Sequence, residues 1–305
     1  MKINTVTGPV DVTELGATLI HEHVICSSPE FMQAFYPRWN NPEKVLPNAV
    51  SKLKYIKEKH GVKTIVDGTP LSLGRDLELL KRVSEESGVY IIASTGFYTG
   101  NCFTVQSTPA EILADWLIDE IVNGPVKPSF LKCAVETPLD SYQERVFHVL
   151  ALVMKATGLP VFAHSRPSIK TGLQILDEFA KHDIPMNKII VGHSADSLDL
   201  EYNIELLNRG AYVSIDRLHR NPSCLEKARL AAELIRRGWA NKLFFAHDGI
   251  CHQDYLNCMT QEHSSEPVDR LAVLHDTFLP CLRENGIQED AIDTILVKNL
   301  QTLFE

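Results

Sequence analysis

A single (β/α)8 barrel of the TIM type, preceded by a small β-hairpin, is the fold class that the 305-residue sequence predicts. Three observations carry it. Apolar, β-branched runs of strand length recur along the chain and alternate with amphipathic helical patterns. The runs are nearly continuously apolar, as strands covered on both faces are. After the first run, where an open doubly wound sheet more often carries a Gly-rich phosphate turn, the chain carries His-x-His at His21 and His23.

Taken in order, residues 3–6 and 10–12 are two short alternating pieces around Gly8-Pro9 and read as the hairpin. Residues 16–23 form the first main strand. The loop expected over 24–41 holds Phe31, Phe35, Tyr36 and Trp39, an aromatic density that either caps a pocket or packs on the scaffold. Further strands are expected at 64–67, 89–93, 130–134, 160–163, 188–191, 212–215 and 242–246. The clearest helices between them lie at 172–181, 198–208 and 225–237, where apolar residues such as Leu173, Leu176 and Phe179 recur at three- and four-residue spacing. No repeat, low-complexity segment or linker divides the chain, so residues 1–305 are read as one domain.

Composition narrows the function. Apolar residues make up 44% of the chain, enough for a sizeable core, and the formal net charge is −9. Without a basic run or an RNA-binding aromatic motif, nucleic acid is not an expected partner. The N-terminus lacks the apolar core of a signal peptide, and no stretch holds 18 consecutive apolar residues, so no membrane partner and a soluble, cytoplasmic protein are expected. Seven cysteines are scattered without C-x-x-C spacing and read as reduced thiols. Cys251 and Cys258 with His252 lack the partner pair that a zinc site of the usual spacing requires.

In a barrel of this kind functional groups gather at the C-terminal ends of the strands. Reading those ends in order collects His21 and His23, Lys132, His164, His193 and Asp248. Strand period two puts His21 and His23 on one face, with Glu22 pointing the other way. Four histidines and a carboxylate converging on one mouth are a metal-ligand set. Lys132 interrupts an otherwise buried strand. It reads either as a lysine snorkelling outward or paired with a carboxylate, or as one whose neutral amine has reacted with carbon dioxide to give a carbamate bridging two cations.

These pieces resemble the phosphotriesterase family of the amidohydrolase superfamily over nearly the whole chain. The matching stretches are residues 18–23, Leu131-Lys132, Ala163-His164-Ser165 with Thr171-Gly172-Leu173, Val191-Gly192-His193-Ser194 with Asp196 and Asp199, and His247-Asp248. The resemblance implies that His21, His23 and Asp248 hold one divalent metal ion and that His164 and His193 hold the other. It also implies that carboxylated Lys132 and a hydroxide bridge them. It further suggests zinc, with manganese or cobalt tolerated, and a homodimer.

The reaction expected of such a centre is hydrolysis by hydroxide available near neutral pH, with Asp248 taking its proton toward the leaving group. Residues 94–98 and 213–217 look more like the lactonase branch than the organophosphate-degrading one, with Tyr98 and Arg217 lining the substrate pocket. A lactone or ester is therefore the expected small-molecule partner. A phosphotriesterase, an amidase or carboxylesterase, and a binding protein that has lost catalysis are the alternatives. Tyr98 reads either as an oxyanion donor or as a half-buried rim aromatic. Arg217 reads as a substrate-binding group or as an ion-pair partner of Asp216 or another carboxylate. Arg166 lies two residues after His164, and Pro167 biases it to an extended conformation. It is expected to point at the rim, where it binds an anionic substrate group or pairs with an acidic residue.

Overall fold

The computed structural model describes residues 1–100, 102–252 and 268–305. Its first two strands, β1 (Lys2–Thr5) and β2 (Gly8–Asp11), pair antiparallel with Thr5 opposite Gly8. The hairpin expected from the sequence is there, but its turn is Val6-Thr7. Gly8-Pro9 begins the second strand instead, with Pro9 opposite Asn4.

Seven parallel strands then follow: β3 (Thr18–Ile25), β4 (Thr64–Asp67), β5 (Tyr90–Gly96), β6 (Phe130–Val135), β7 (Val161–Ser165), β8 (Ile189–Gly192) and β9 (Tyr212–Ile215). The eighth is in two pieces, β10 (Leu243–Phe245) and β11 (Gly249–His252). The first piece pairs with β9 and the second with β3, so the sheet order β10-β9-β8-β7-β6-β5-β4-β3-β11 has its two ends in one interrupted strand. Across the interruption the backbone changes partner: the Ala246 amide donates to Ile215 oxygen (3.3 Å) and the Asp248 amide to His21 oxygen (3.0 Å). The result is a TIM barrel closed at His247-Asp248.

Period two explains what fills it. Ile20, Val66, Ile92, Phe130, Phe162, Ile190, Tyr212 and Phe244, one from each barrel strand, pack as a single apolar floor. The hairpin side chain Ile3 and the C-terminal Leu300 and Leu303 close that floor from below. Alternate residues such as Leu131, Cys133, Val161 and Ala163 face outward into the larger core under the helices.

Local signals set the helix ends. α1 (Pro29–Ala34) lies inside the stretch expected to be a loop, after β3 has run on to Ile25. α2 (Pro42–His60) starts on Asn41, whose side chain accepts from the Glu43 amide, and stops at left-handed Gly61. Next come α3 (Leu77–Ser87), α4 (Phe103–Ser107), α5 (Ala110–Asn123) and α6 (Ser141–Thr157), the last opened by a capping box of Asp140 and Gln143. The three clearest predicted helices are α7 (Thr171–Lys181), α8 (Leu200–Asn208) and α9 (Cys224–Arg236). α8 begins two residues later than expected because Asp199 caps it by accepting from the Tyr202 amide. Among the described residues no helix is long and apolar enough to cross a membrane, and no disulfide joins two cysteines. Cys258 lies outside the described residues.

Candidate metal centre

The apolar floor sets the parity of the layer above it. Two residues beyond Phe130 and Phe162 stand Lys132 and His164, whereas two beyond Val66, Ile92, Tyr212 and Phe244 stand Gly68, Ser94, Ser214 and Ala246. The two long ligand-type side chains, on neighbouring strands, are thus flanked by small residues that leave them room. At Gly68 the need is steric, since a Cβ there would stand 2.6 Å from the His21 ring. A register shift between Leu19 and Glu22 brings His21 and His23 to the face that Ile20 also uses. His193 and Asp248 arrive with left-handed backbones, at φ of 63° and 52°, as does Arg217 at 53°. Such conformations in residues other than glycine concentrate at functional sites.

The second nitrogen of each imidazole tells which one is free for an ion. Asp216, fully buried, sits behind two rings at once: His193 Nδ1 is 2.7 Å from its Oδ1 and His21 Nδ1 is 3.4 Å from its Oδ2. Ser214 Oγ donates to the same carboxylate at 3.0 Å. His23 Nδ1 donates to Thr69 Oγ1 at 2.8 Å, whose own proton goes to Ile25 oxygen. His164 is turned the other way, with Nε2 on the Glu136 carboxylate. Each carboxylate or hydroxyl takes a ring proton, so lone pairs are left on Nε2 of His21, His23 and His193 and on Nδ1 of His164. His193 Nε2 and His164 Nδ1 then face each other at 2.9 Å, a contact between two acceptors that an ion relieves. Burial holds the pKa of His21 and His193 well below the ordinary 6.5 and lowers that of His164, which favours the neutral, ligating form.

One ligand-competent cluster is His21, His23 and Asp248, with Asp248 Oδ1 3.4 Å from His21 Nε2 and 3.2 Å from His23 Nε2. Asp216 forms a second cluster with His21 and His193, but it faces their Nδ1 atoms and so orients the rings rather than binding the ion they bind. Cys251 and His252 belong to neither cluster. Burial works against the charge of Asp248, yet its carboxyl, paired with the Arg217 guanidinium, is held well below the usual range. Lys132 is buried, with Nζ 2.9 Å from His21 Nε2 and 4.3 Å from the centre of the Phe162 ring. Burial lowers its pKa to about 8. It does not snorkel outward, and among the described residues no carboxylate stands at ion-pair distance from it.

Above the ligands opens a cavity of about 220 Å³, lined by His21, His23, Lys132, His164 and Asp248 together with Cys26, Leu73, Tyr98, Arg217, Arg220 and Ile250. Tyr98 Oη is 3.2 Å from His164 Nδ1, and burial pushes its phenol upward. Arg217 does not pair with Asp216. Its Nε donates to Asp248 Oδ2 at 2.9 Å and its Nη1 reaches Asp196 Oδ2 at 3.3 Å. Arg166 has the expected extended backbone (φ −108°, ψ 94°). However, β7 ends at Ser165, and the exposed Arg166 side chain lies over Glu136 oxygen at 3.4 Å, outside the residues that line the cavity. A chamber of about 450 Å³ with Phe31 and Trp39 in its wall shares Cys26, Leu73 and Tyr98 with this cavity. The aromatic stretch therefore borders a pocket.

A model of the phosphotriesterase family matches residues 1–304. The chain belongs to the phosphotriesterase family. It is similar to a phosphotriesterase homology protein of Mycobacterium tuberculosis, 30% identical with 100% of this chain and 98% of the relative covered. An aryldialkylphosphatase of Saccharolobus solfataricus is 28% identical, covering 97% of this chain and 96% of the relative. Human N-acetyltaurine hydrolase is 25% identical, covering 98% and 96%. A solved phosphotriesterase from Mycobacterium tuberculosis superposes with a TM-score of 0.90 at 29% identity, over 100% of this chain and 98% of that one. The protein is accordingly a hydrolase of the phosphotriesterase family with candidate His/Asp metal sites. The sequence reading missed the ring-orienting roles of Asp216, Glu136 and Thr69 and the cavity position of Arg220. Inward parity from Tyr212 through Ser214 was a signal for Asp216; nothing local marks Glu136 or Thr69.

Proposed function

We propose that this phosphotriesterase-family hydrolase opens lactones at a binuclear centre in which His21, His23 and Asp248 hold one divalent cation and His164 and His193 the other, with Lys132 carboxylated between them. The observation that carries the reading is one buried layer in which His21 Nε2 and His23 Nε2 face the Asp248 carboxylate, His21 Nε2 also meets Lys132 Nζ, and His193 Nε2 faces His164 Nδ1. The carbamate is supported by the burial of Lys132, which among the described residues has no carboxylate at ion-pair distance. Its neutral amine forms an N–C bond to carbon dioxide and releases a proton, replacing a costly buried ammonium with an anionic ligand. Zinc suits the imidazole-rich set, with manganese and cobalt as alternatives. Two cations held there would supply hydroxide near neutral pH and polarise the substrate carbonyl.

The protein's own groups do the rest. Asp248 accepts the nucleophile's proton and, with Arg217 at 2.9 Å, keeps its carboxylate charged and aimed. Tyr98 Oη, beside His164, donates to the oxygen on which charge develops. The apolar chamber reached past Tyr98 and Leu73 takes the substrate's carbon skeleton. Triester hydrolysis, suggested by the Saccharolobus solfataricus relative, and amide hydrolysis, suggested by the human one, are the competing readings of the same centre. Metal analysis of protein purified without chelator, followed by matched panels of lactones, phosphotriesters and N-acyl amides, tests this. Two ions per chain and the highest kcat/KM on lactones are expected; a metal-free active enzyme, or a triester or amide preferred, overturns it.

A further inference from the structure

The chain leaves β9 through Asp216 and Arg217, and the turn that follows is held from below. Lys227, on α9 and fully buried, donates to Arg217 oxygen at 2.9 Å, to Asp216 oxygen at 3.1 Å and to Asp196 Oδ1 at 2.6 Å. A buried ammonium whose donors go to two successive carbonyls of one turn fixes that turn. The Arg220 amide closes it by donating to Arg217 oxygen at 2.9 Å. Both guanidiniums of the turn line the metal cavity.

Their surroundings differ. Asp248 and Asp196 answer the charge of Arg217. Arg220 spends its Nε on His219 Nε2 at 3.3 Å, and among the described residues no carboxylate stands at ion-pair distance from its guanidinium. Arg220 is exposed at the mouth, above a lining in which Asp248 is the only acidic side chain among the described residues. In a chain of net charge −9 this is a local cationic face on a cavity that admits only small molecules.

We infer that Arg220 is the receptor for an oxyanion, a carboxylate or sulfonate, carried by the substrate at the end remote from the scissile carbonyl. This assignment rests on the hydrolytic reading of the cavity and narrows its substrate class to small acyl compounds with an anionic tail. The planar fork of the guanidinium pairs with two oxygens of such a group, a geometry that an ammonium does not reproduce. Leu73 and Ile250 line the same cavity and pack on the carbon chain between tail and carbonyl.

The test compares two esters of equal chain length, 4-nitrophenyl pentanoate and the 4-nitrophenyl monoester of glutaric acid, on wild-type, Arg220→Met and Arg220→Lys enzymes. Wild type is expected to show the lower KM for the glutarate monoester. Arg220→Met should cut the ratio of the two KM values by about tenfold, the loss of one charge-assisted contact, and Arg220→Lys should retain only part of it. A ratio unchanged in Arg220→Met overturns the assignment. Calorimetric titration of the purified, metal-loaded proteins with ethanesulfonate gives a readout independent of turnover. Binding weakened severalfold in Arg220→Met supports the inference, and equal binding overturns it. Wild type that binds ethanesulfonate through Arg220 yet turns over neither ester keeps the receptor and removes the hydrolytic reading.

Discussion

Asp248 carries two duties that its neighbours make compatible. It is a ligand-competent carboxylate with the rings of His21 and His23, and it is salt-bridged to Arg217 through its other oxygen. Asp248→Asn keeps the shape and removes the proton acceptor, so turnover should drop by at least about 10² with the fold intact. Steady-state rates alongside a circular dichroism spectrum check this, and unchanged turnover would take Asp248 out of the mechanism. Tyr98→Phe removes a single neutral donor and should cost less than Asp248→Asn in kcat. For Lys132, the Lys132→Ala variant should lose metal and activity together. Bicarbonate should speed recovery of both when wild-type apo-protein is reconstituted; a metal-replete, fully active Lys132→Ala protein would end the carbamate proposal.

At the scale of elements, the interrupted eighth strand decides the site, and Glu22 holds the interruption open. Its Oε1 accepts from the His247 amide and from His247 Nδ1, both at 2.8 Å, and its Oε2 accepts from the Gly249 amide at 2.9 Å. His247 passes the constraint on, its Nε2 accepting from the Leu274 amide at 3.2 Å. The residue between the two histidines of His-x-His therefore brackets Asp248 from the neighbouring strand, and space is tight enough that a Cβ at Gly249 would stand 3.0 Å from Glu22 Oε2. Replacing Glu22 by Gln puts an amide donor against one of these donors. The expected loss is about 1–3 kcal/mol of stability, with weaker metal retention at the His21–His23–Asp248 cluster. Denaturant unfolding and metal titration read the two effects separately; a variant that keeps wild-type stability and metal affinity would show that the bracket is dispensable.

For the whole molecule, the buried histidines make stability depend on pH in a predictable direction. Burial holds His21 and His193 well below 6.5, takes His219 to about 4 and takes His275 to about 3. In the unfolded chain each titrates near 6.5, so below that pH the unfolded state binds protons that the folded state refuses. Stability of the metal-free protein should be full above about pH 6.5 and decline as pH falls from there toward 4. Metal loading should raise Tm at neutral pH by binding only the folded state. Thermal unfolding of both forms from pH 7.5 to 4.5 checks this, and a flat Tm for the metal-free form below 6.5 would contradict it.

Period two and the alternation of strand with helix are local properties, written into each ten-residue stretch. Sequence by itself therefore determined the barrel and placed His21, His23, Lys132, His164, His193 and Asp248 at strand ends on one mouth. The division of those residues between two ions is what the family resemblance implies and what the proposed function adopts. What local pattern does not contain is a partner from a distant strand. Asp216 reaches His21 across 195 residues of chain, Glu22 reaches His247 across 225, and Lys227 arrives from a helix to hold the turn that presents Arg217 and Arg220. Arg217 turned from its neighbour Asp216 to Asp248 and Asp196, and Arg166 fell outside the cavity because β7 stops before it. Tertiary structure alone decided which imidazole nitrogen keeps a lone pair free for a ligand and which guanidinium, among the described residues, has no carboxylate at ion-pair distance. Both depend on where each side chain's second hydrogen bond goes, and closure of the barrel supplies that partner.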